Sequence, residues 1–129
     1  MPIHRAVLLL AALAAANAAS ALTIEYGERG DALAACDAAM YRGERADATQ
    51  CYRRLLEQSG DARIMAEAAR ALDDVRTANS HFQTAVEQHP DDPAVRTRWG
   101  MLFLETHQNN EAVQLFLEAL ERDPEHVAA

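Results

Sequence analysis

The feature that most constrains this chain is a pattern of small, aromatic and proline residues that occurs twice near its C-terminal end. One copy consists, at spacings of four, three and five positions, of Ala112, Phe116, Ala119 and Pro124. The other copy lies 34 residues earlier and consists of Ala78, Phe82, Ala85 and Pro90. Self-similarity at a fixed period of this length is typical of stacked helical repeats. Small residues let two helices approach closely, the aromatic ring fills the space beside them, and proline ends the second helix. Each copy therefore predicts a helical hairpin.

A second pattern precedes the last copy. Trp99, Gly100 and Phe103 supply a large, a small and an aromatic residue in that order. In these positions the chain resembles the tetratricopeptide repeat family, whose repeats are antiparallel helix pairs with this pattern in the first helix. The resemblance places Trp99 in the core rather than at a ligand. The corresponding places of the two earlier hairpins hold Met65, Ala66 and Ala69, and Ala35, Cys36 and Ala39.

The resemblance implies an all-α fold, an α-α superhelix of about three antiparallel hairpins. These hairpins are predicted at residues 29–58, 59–92 and 93–126. The first copy precedes the second by 30 rather than 34 residues, and the loss of about one helical turn keeps the buried face in phase. Turn residues and N-caps between the periodic segments predict helices near 30–42, 45–58, 61–73, 76–89, 93–106 and 110–122.

Composition is consistent with this fold and argues against one class of partner. Hydrophobic residues make up 50% of the 129 residues and aromatic residues only 5%, so the apolar residues are mainly alanine and leucine, as in helical chains. The formal net charge is −8, and no run of lysine and arginine occurs. Because phosphate binding needs a positive patch, we expect no nucleic-acid partner.

Residues 1–21 have the pattern of an export signal. Arg5 is followed by an apolar run over residues 6–16, and small residues up to Ala21 fit the cleavage positions. We therefore expect cleavage after Ala21 and a periplasmic or secreted product.

This expectation divides the chain into three parts. They are a signal peptide of residues 1–21, a linker of residues 22–29 and a helical repeat domain of residues 30–126. The alternative is a membrane-anchored protein held by uncleaved residues 6–22. The apolar run is shorter than the roughly 20 residues that a spanning helix needs, so cleavage is favoured.

Cys36 and Cys51 lie at similar distances on either side of the predicted turn at Gly43. An antiparallel hairpin places them at similar height, which permits a disulfide in an oxidising compartment. The alternative is two free thiols that pack as small hydrophobic residues. Both interpretations remain open from the sequence, because bonding depends on the directions of the Cβ atoms.

The sequence lacks the patterns that carry catalytic or metal chemistry. The histidines His81, His89, His107 and His126 are scattered and are expected at the surface. No metal-ligand cluster, serine elbow or glycine-rich phosphate loop occurs in the sequence. We therefore expect no enzymatic activity, no cofactor, no metal and no small-molecule substrate.

The resemblance also implies a concave groove lined by the first helix of each hairpin. The positions carried over from the family are Leu33, Asp37, Met40, Tyr41, Arg63, Glu67, Arg70, Thr97, Met101 and Leu104. Such a surface could take an extended peptide or a helix, with methionines that adapt to the partner and arginines that receive its carboxylates. The prediction is a non-catalytic adaptor in the bacterial envelope that binds another protein or peptide.

The predicted repeats end without a polar capping helix, which stacked repeats usually need. Residues such as Phe116 and Leu120 are then expected to be partly uncovered. This favours an alternative in which the repeats are the N-terminal region or a fragment of a larger exported protein with a structural or assembly role. Self-association through the uncapped C-terminal hairpin is a further expectation.

Overall fold

The computed structural model describes residues 28–126. The predicted signal peptide and most of the predicted linker lie outside these residues. Six helices make up the regular structure of the described part, which contains no strand. They are α1 Glu28–Tyr41, α2 Arg45–Gln58, α3 Ala62–Ala71, α4 Val75–Gln88, α5 Pro93–Glu105 and α6 Asn109–Arg122.

The helix ends agree with the sequence prediction to within two residues. Helix α1 begins at Glu28, so the last two residues of the predicted linker are helical. Successive helices pack as α1 with α2, α3 with α4, and α5 with α6, and neighbouring pairs pack on one another. The described chain is therefore all-helical, with the arrangement of an α-α superhelix.

Short polar side chains begin the first helix of the second and third pairs. The Asp61 carboxylate accepts a hydrogen bond of 2.9 Å from the Arg63 amide. The Asp92 carboxylate accepts one of 3.0 Å from the Ala94 amide, and Pro93 occupies the first turn of α5. Such caps satisfy amides that have no partner within the helix, and proline loses nothing there. These local signals explain why the boundaries were readable from the sequence.

The core uses the small residues of the repeated pattern for close helix contact. The alanines of the pattern, all fully buried, are Ala78, Ala85, Ala112 and Ala119. Phe82 is 2% exposed and packs in a cluster with residues of α3, α4 and α5. Pro90 and Pro124 are exposed and follow the ends of α4 and α6 by two residues, so they end helices rather than fill the core.

Gly100 lies where the two helices of the last hairpin approach closely. A Cβ atom built on Gly100 would lie 2.6 Å from Cε1 and 2.9 Å from Cδ1 of Phe116. Trp99 is half-buried beside the cluster around Phe82, stacks on Phe103 at 5.7 Å between ring centroids, and donates from Nε1 to Asn79 over 2.8 Å. The pattern of large, small and aromatic residues is therefore used for packing.

A disulfide joins Cys36 of α1 to Cys51 of α2, with their Cα atoms 5.4 Å apart. Cys36 is fully buried in the core of the first hairpin, together with Leu33, Ala39 and Tyr52. This geometry fits the first of the two interpretations of the cysteine pair. The bond closes a loop in the hairpin that has the weakest repeat pattern.

Candidate functional site

Three helices, α1, α3 and α5, surround an open cavity of about 460 Å³. Helix α1 supplies Gly30, Leu33, Ala34 and Asp37 to its lining. The remaining lining residues are Glu67, Arg70 and Ala71 of α3 and Arg98 and Glu105 of α5. No lining residue comes from α2, α4 or α6, so the cavity belongs to the face formed by the first helix of each hairpin.

The α1 side of the cavity combines an apolar wall with one carboxylate. Leu33 is largely buried there, and Ala34 is exposed beside it. The Asp37 carboxylate accepts a hydrogen bond from the hydroxyl of Tyr52, a residue of α2 that is 3% exposed. Burial of Tyr52, together with its bond to Asp37, raises the pKa of the hydroxyl well above its usual value. Tyr52 therefore remains a proton donor that fixes the position of the Asp37 side chain.

The α3 and α5 sides of the cavity form an ion-pair network. The Arg98 guanidinium donates two hydrogen bonds, of 2.6 and 2.7 Å, to the Glu67 carboxylate. Arg70 donates to Glu105, with Nε at 2.9 Å from Oε2 and a second bond from Nη2 to Oε1. Arg70 also lies 3.4 Å from Glu67, which connects the two pairs.

The pairing of Arg70 with Glu105 favours the charged form of both groups. The hydrogen bond from Arg70 lowers the pKa of Glu105, and the same bond raises the pKa of Arg70. The two pairs join residues 31 and 35 positions apart, close to the 34-residue period, so each connects successive first helices. The network therefore links α3 to α5 beside the groove.

The structure distributes the predicted groove residues unevenly. Leu33, Asp37, Glu67 and Arg70 line the cavity. Others lie on the same helices outside the lining: Met40 is 39% exposed, Leu104 44% and Tyr41 94%, and Met101 is half-buried. Met101 lies 3.7 Å from the Arg98 guanidinium, measured at its sulfur.

The structure corrects one predicted groove residue, Thr97, and shows partners for the two arginines. Thr97 is 1% exposed, and its hydroxyl donates to the Pro93 carbonyl over 3.1 Å, so it presents no surface to a partner. Arg63 pairs with Asp61 at 2.9 Å and with Asp92 at 3.6 Å, and Arg70 is paired as described above. These arginines therefore already pair with carboxylates of the chain itself, and a partner carboxylate would have to compete with them.

Arg98 and Glu105 were not predicted, because the groove-lining residues of α5 were expected one position earlier along the helix. One residue corresponds to about 100° around a helix, which moves a side chain from a groove to a buried flank. A usable signal was present: opposite charges about one repeat apart, in successive first helices. The four histidines of the described residues were all expected at the surface. His107 is exposed, whereas His81, His89 and His126 are half-buried.

Helix α6 carries a second surface of interest. Val113 and Leu117, one turn apart, are 50% and 51% exposed, and Phe116 and Leu120 are half-buried. A further hairpin in the same stack would pack against α6.

None of the six helices in residues 28–126 is both long and apolar enough to cross a membrane. In residues 28–126, no three or more histidine, cysteine, aspartate or glutamate side chains are grouped to hold a metal ion.

The fold and the groove define a helical repeat protein built from stacked hairpins. Residues 69–129 match the family model described as a tetratricopeptide repeat, which covers the end of α3 and all of α4, α5 and α6. This part of the chain is thus similar to the tetratricopeptide repeat family, as the residue pattern predicted. Such repeats generally mediate protein–protein interaction and typically act as non-catalytic scaffolds. No curated protein gave a match to the chain.

Proposed function

We propose that this protein is a non-catalytic adaptor that docks a partner peptide or helix in the groove between α1, α3 and α5. The observation that carries the proposal is the open cavity of about 460 Å³ whose lining combines apolar and charged side chains. Helical repeat proteins use concave surfaces of this kind for binding, and grooves that take a helix or an extended peptide combine apolar and polar contacts. An extended or helical segment can cover the apolar wall at Leu33 while its polar side chains meet the charged side.

Exposed apolar side chains extend the proposed docking surface beyond the cavity. Met40 and Leu104 are partly exposed on α1 and α5, the helices on either side of α3. Methionine adapts its shape to different partners, which suits a surface that binds a polypeptide. A partner of several turns would therefore have apolar contacts on both sides of the ion-pair network.

We also propose that the adaptor acts in the bacterial envelope, as a periplasmic or secreted protein. Two independent features support this location: the export-signal pattern of residues 1–21 and the disulfide between Cys36 and Cys51. Structural disulfides persist in oxidising compartments and are rare in the cytosol of mesophiles. Intact mass of the exported protein tests this part, since retention of residues 1–21 would favour the anchored alternative.

Photo-crosslinking at defined positions tests the docking proposal. A photoreactive residue replaces Ala34 in the groove, Arg53 on α2 or Leu117 on α6, each at an exposed position. We expect one heterologous adduct from position 34 and none from position 53, because α2 contributes nothing to the cavity lining. Equal yields from positions 34 and 53 would contradict a groove-specific partner.

The second candidate function is a repeat region that completes its stack by self-association or as part of a larger exported protein. The half-exposed Val113 and Leu117 on α6 favour it, because an uncovered repeat face lowers solubility. In the same crosslinking experiment this alternative predicts an adduct of twice the protein's mass from position 117. A heterologous adduct from position 34 with no homodimer from position 117 would support the adaptor instead.

A further inference from the structure

The charges that line the groove do not cancel. The lining holds three carboxylates, Asp37, Glu67 and Glu105, and two guanidiniums, Arg70 and Arg98. Arg98 is bound to Glu67 and Arg70 to Glu105, as described above. Among the described side chains, Asp37 accepts a hydrogen bond from Tyr52 and has no cationic partner. A phenol donates a hydrogen bond without neutralising the carboxylate, so one negative charge in the groove remains uncompensated.

The Asp37 carboxylate is held in position by residues of the neighbouring helix α2. Tyr52 is buried in the first hairpin and binds Asp37 from α2. The residues immediately before this pair in the sequence, Cys36 and Cys51, form the disulfide between the same two helices. A covalent bond therefore ties together the two backbone segments that carry the carboxylate and its donor. Such support from a second layer of residues is what holds a recognition group in place.

The groove is poorly suited to an anionic partner. A partner carboxylate could reach Arg70 or Arg98 only by displacing Glu105 or Glu67 from an existing ion pair. It would also approach a chain whose formal net charge is −8. Long-range repulsion slows such an approach, whereas the same field attracts a cationic segment.

From this uncompensated charge, and resting on the proposed function of the groove, we infer that the partner is a cationic amphipathic segment. It places a lysine or arginine side chain against Asp37 and an apolar side chain against Leu33 and Ala34. The charge complements Asp37, and the apolar contact covers the α1 wall of the cavity. The ion pairs of α3 and α5 remain intact in the complex and shape the opposite wall.

A display experiment with a random linear peptide library tests this inference on the full chain. The bait proteins are the parent, Asp37→Asn and Asp91→Asn. Asparagine at position 37 keeps an oxygen that can accept from Tyr52, so it removes the charge with little change in structure. Asp91 is exposed between α4 and α5 and does not line the cavity, so its variant controls for the loss of one charge. Circular dichroism checks that all three baits fold alike.

We expect peptides enriched in lysine or arginine next to apolar residues with the parent and with Asp91→Asn. Asp37→Asn should lose this enrichment and bind a synthesised parent-selected peptide about two- to fivefold more weakly in fluorescence anisotropy, the range expected for an exposed ion pair. Enrichment of aspartate or glutamate, or an unchanged preference in Asp37→Asn, would overturn the cationic partner while leaving groove binding intact. Absence of any enriched peptide with the parent would count against both the inference and the proposed function.

Discussion

Replacement of Gly100 by alanine tests the packing on which the last hairpin depends. The new Cβ would meet the Phe116 ring at 2.6 Å, far inside ordinary contact, so the ring or helix α5 must move. Overpacking of this kind costs about 1 to 3 kcal/mol, while alanine in a helix interior stabilises by about 0.5 to 1 kcal/mol relative to glycine. We expect a net loss of about 1 kcal/mol, which corresponds to a fall in Tm of roughly 4 to 8 °C for a domain of this size.

Urea unfolding followed by circular dichroism measures the change in the free energy of unfolding. The equivalent place of the middle hairpin, 34 residues earlier, is Ala66, which is fully buried. The reverse substitution Ala66→Gly should also destabilise, by about 0.5 to 1 kcal/mol from backbone entropy alone. Opposite substitutions, glycine to alanine at position 100 and alanine to glycine at position 66, would thus both destabilise the protein at equivalent positions of the two hairpins.

A double-mutant cycle isolates the contact between Gly100 and Phe116. In a Phe116→Leu background the clash is relieved, so Gly100→Ala should cost little or even stabilise. An equal cost of Gly100→Ala with phenylalanine and with leucine at position 116 would show that the ring does not restrict position 100.

Three further predictions concern the disulfide, the ion-pair network and a helix cap. Reduction of the bond between Cys36 and Cys51, or serine at both positions, should lower the free energy of unfolding by about 3 kcal/mol in the chain-entropy model. A lower urea midpoint measures this loss, and no change on reduction would argue against a formed bond. The pKa of Glu105 in the folded protein lies below its ordinary value of 4.5, so its stabilising contribution is complete above that pH and is lost as the pH falls further. Glu105→Gln should therefore flatten the acid side of a curve of stability against pH. An unchanged acid side would contradict the pairing of Glu105 with Arg70. Asp92→Ala removes the N-cap of α5 and should cost about 1 kcal/mol in thermal unfolding, whereas a value near zero would show that the cap carries no stability.

The fold was accessible from the sequence because its signals are local and periodic. The spacing of Ala112, Phe116 and Ala119, repeated at a fixed offset, predicts the hairpins, and aspartates such as Asp61 supply boundaries. These features act through contacts within one hairpin or between neighbours. Their consequences do not depend on details of the whole assembly.

The candidate site was only partly accessible, because it depends on how successive hairpins rotate against each other. The positions carried over from the family place Asp37 and Glu67 in the groove, and both line the cavity. Thr97 was predicted in the groove but is buried, and Arg98 was not predicted although it lines the cavity. A shift of one residue along the helix is enough to move a side chain from the groove to a buried side. The pairing of Arg70 with Glu105 also requires the approach of α3 to α5, which no single repeat encodes.

The most direct test of the docking claim is a hydrogen–deuterium exchange footprint of the protein with the partner crosslinked through position 34. Amide protection on binding should concentrate in α1, α3 and α5, whose residues line the cavity, while exchange in α2 and α6 stays unchanged. This pattern would identify the groove as the working surface. Protection confined to α6 would contradict the account and assign partner binding to the uncovered end of the stack.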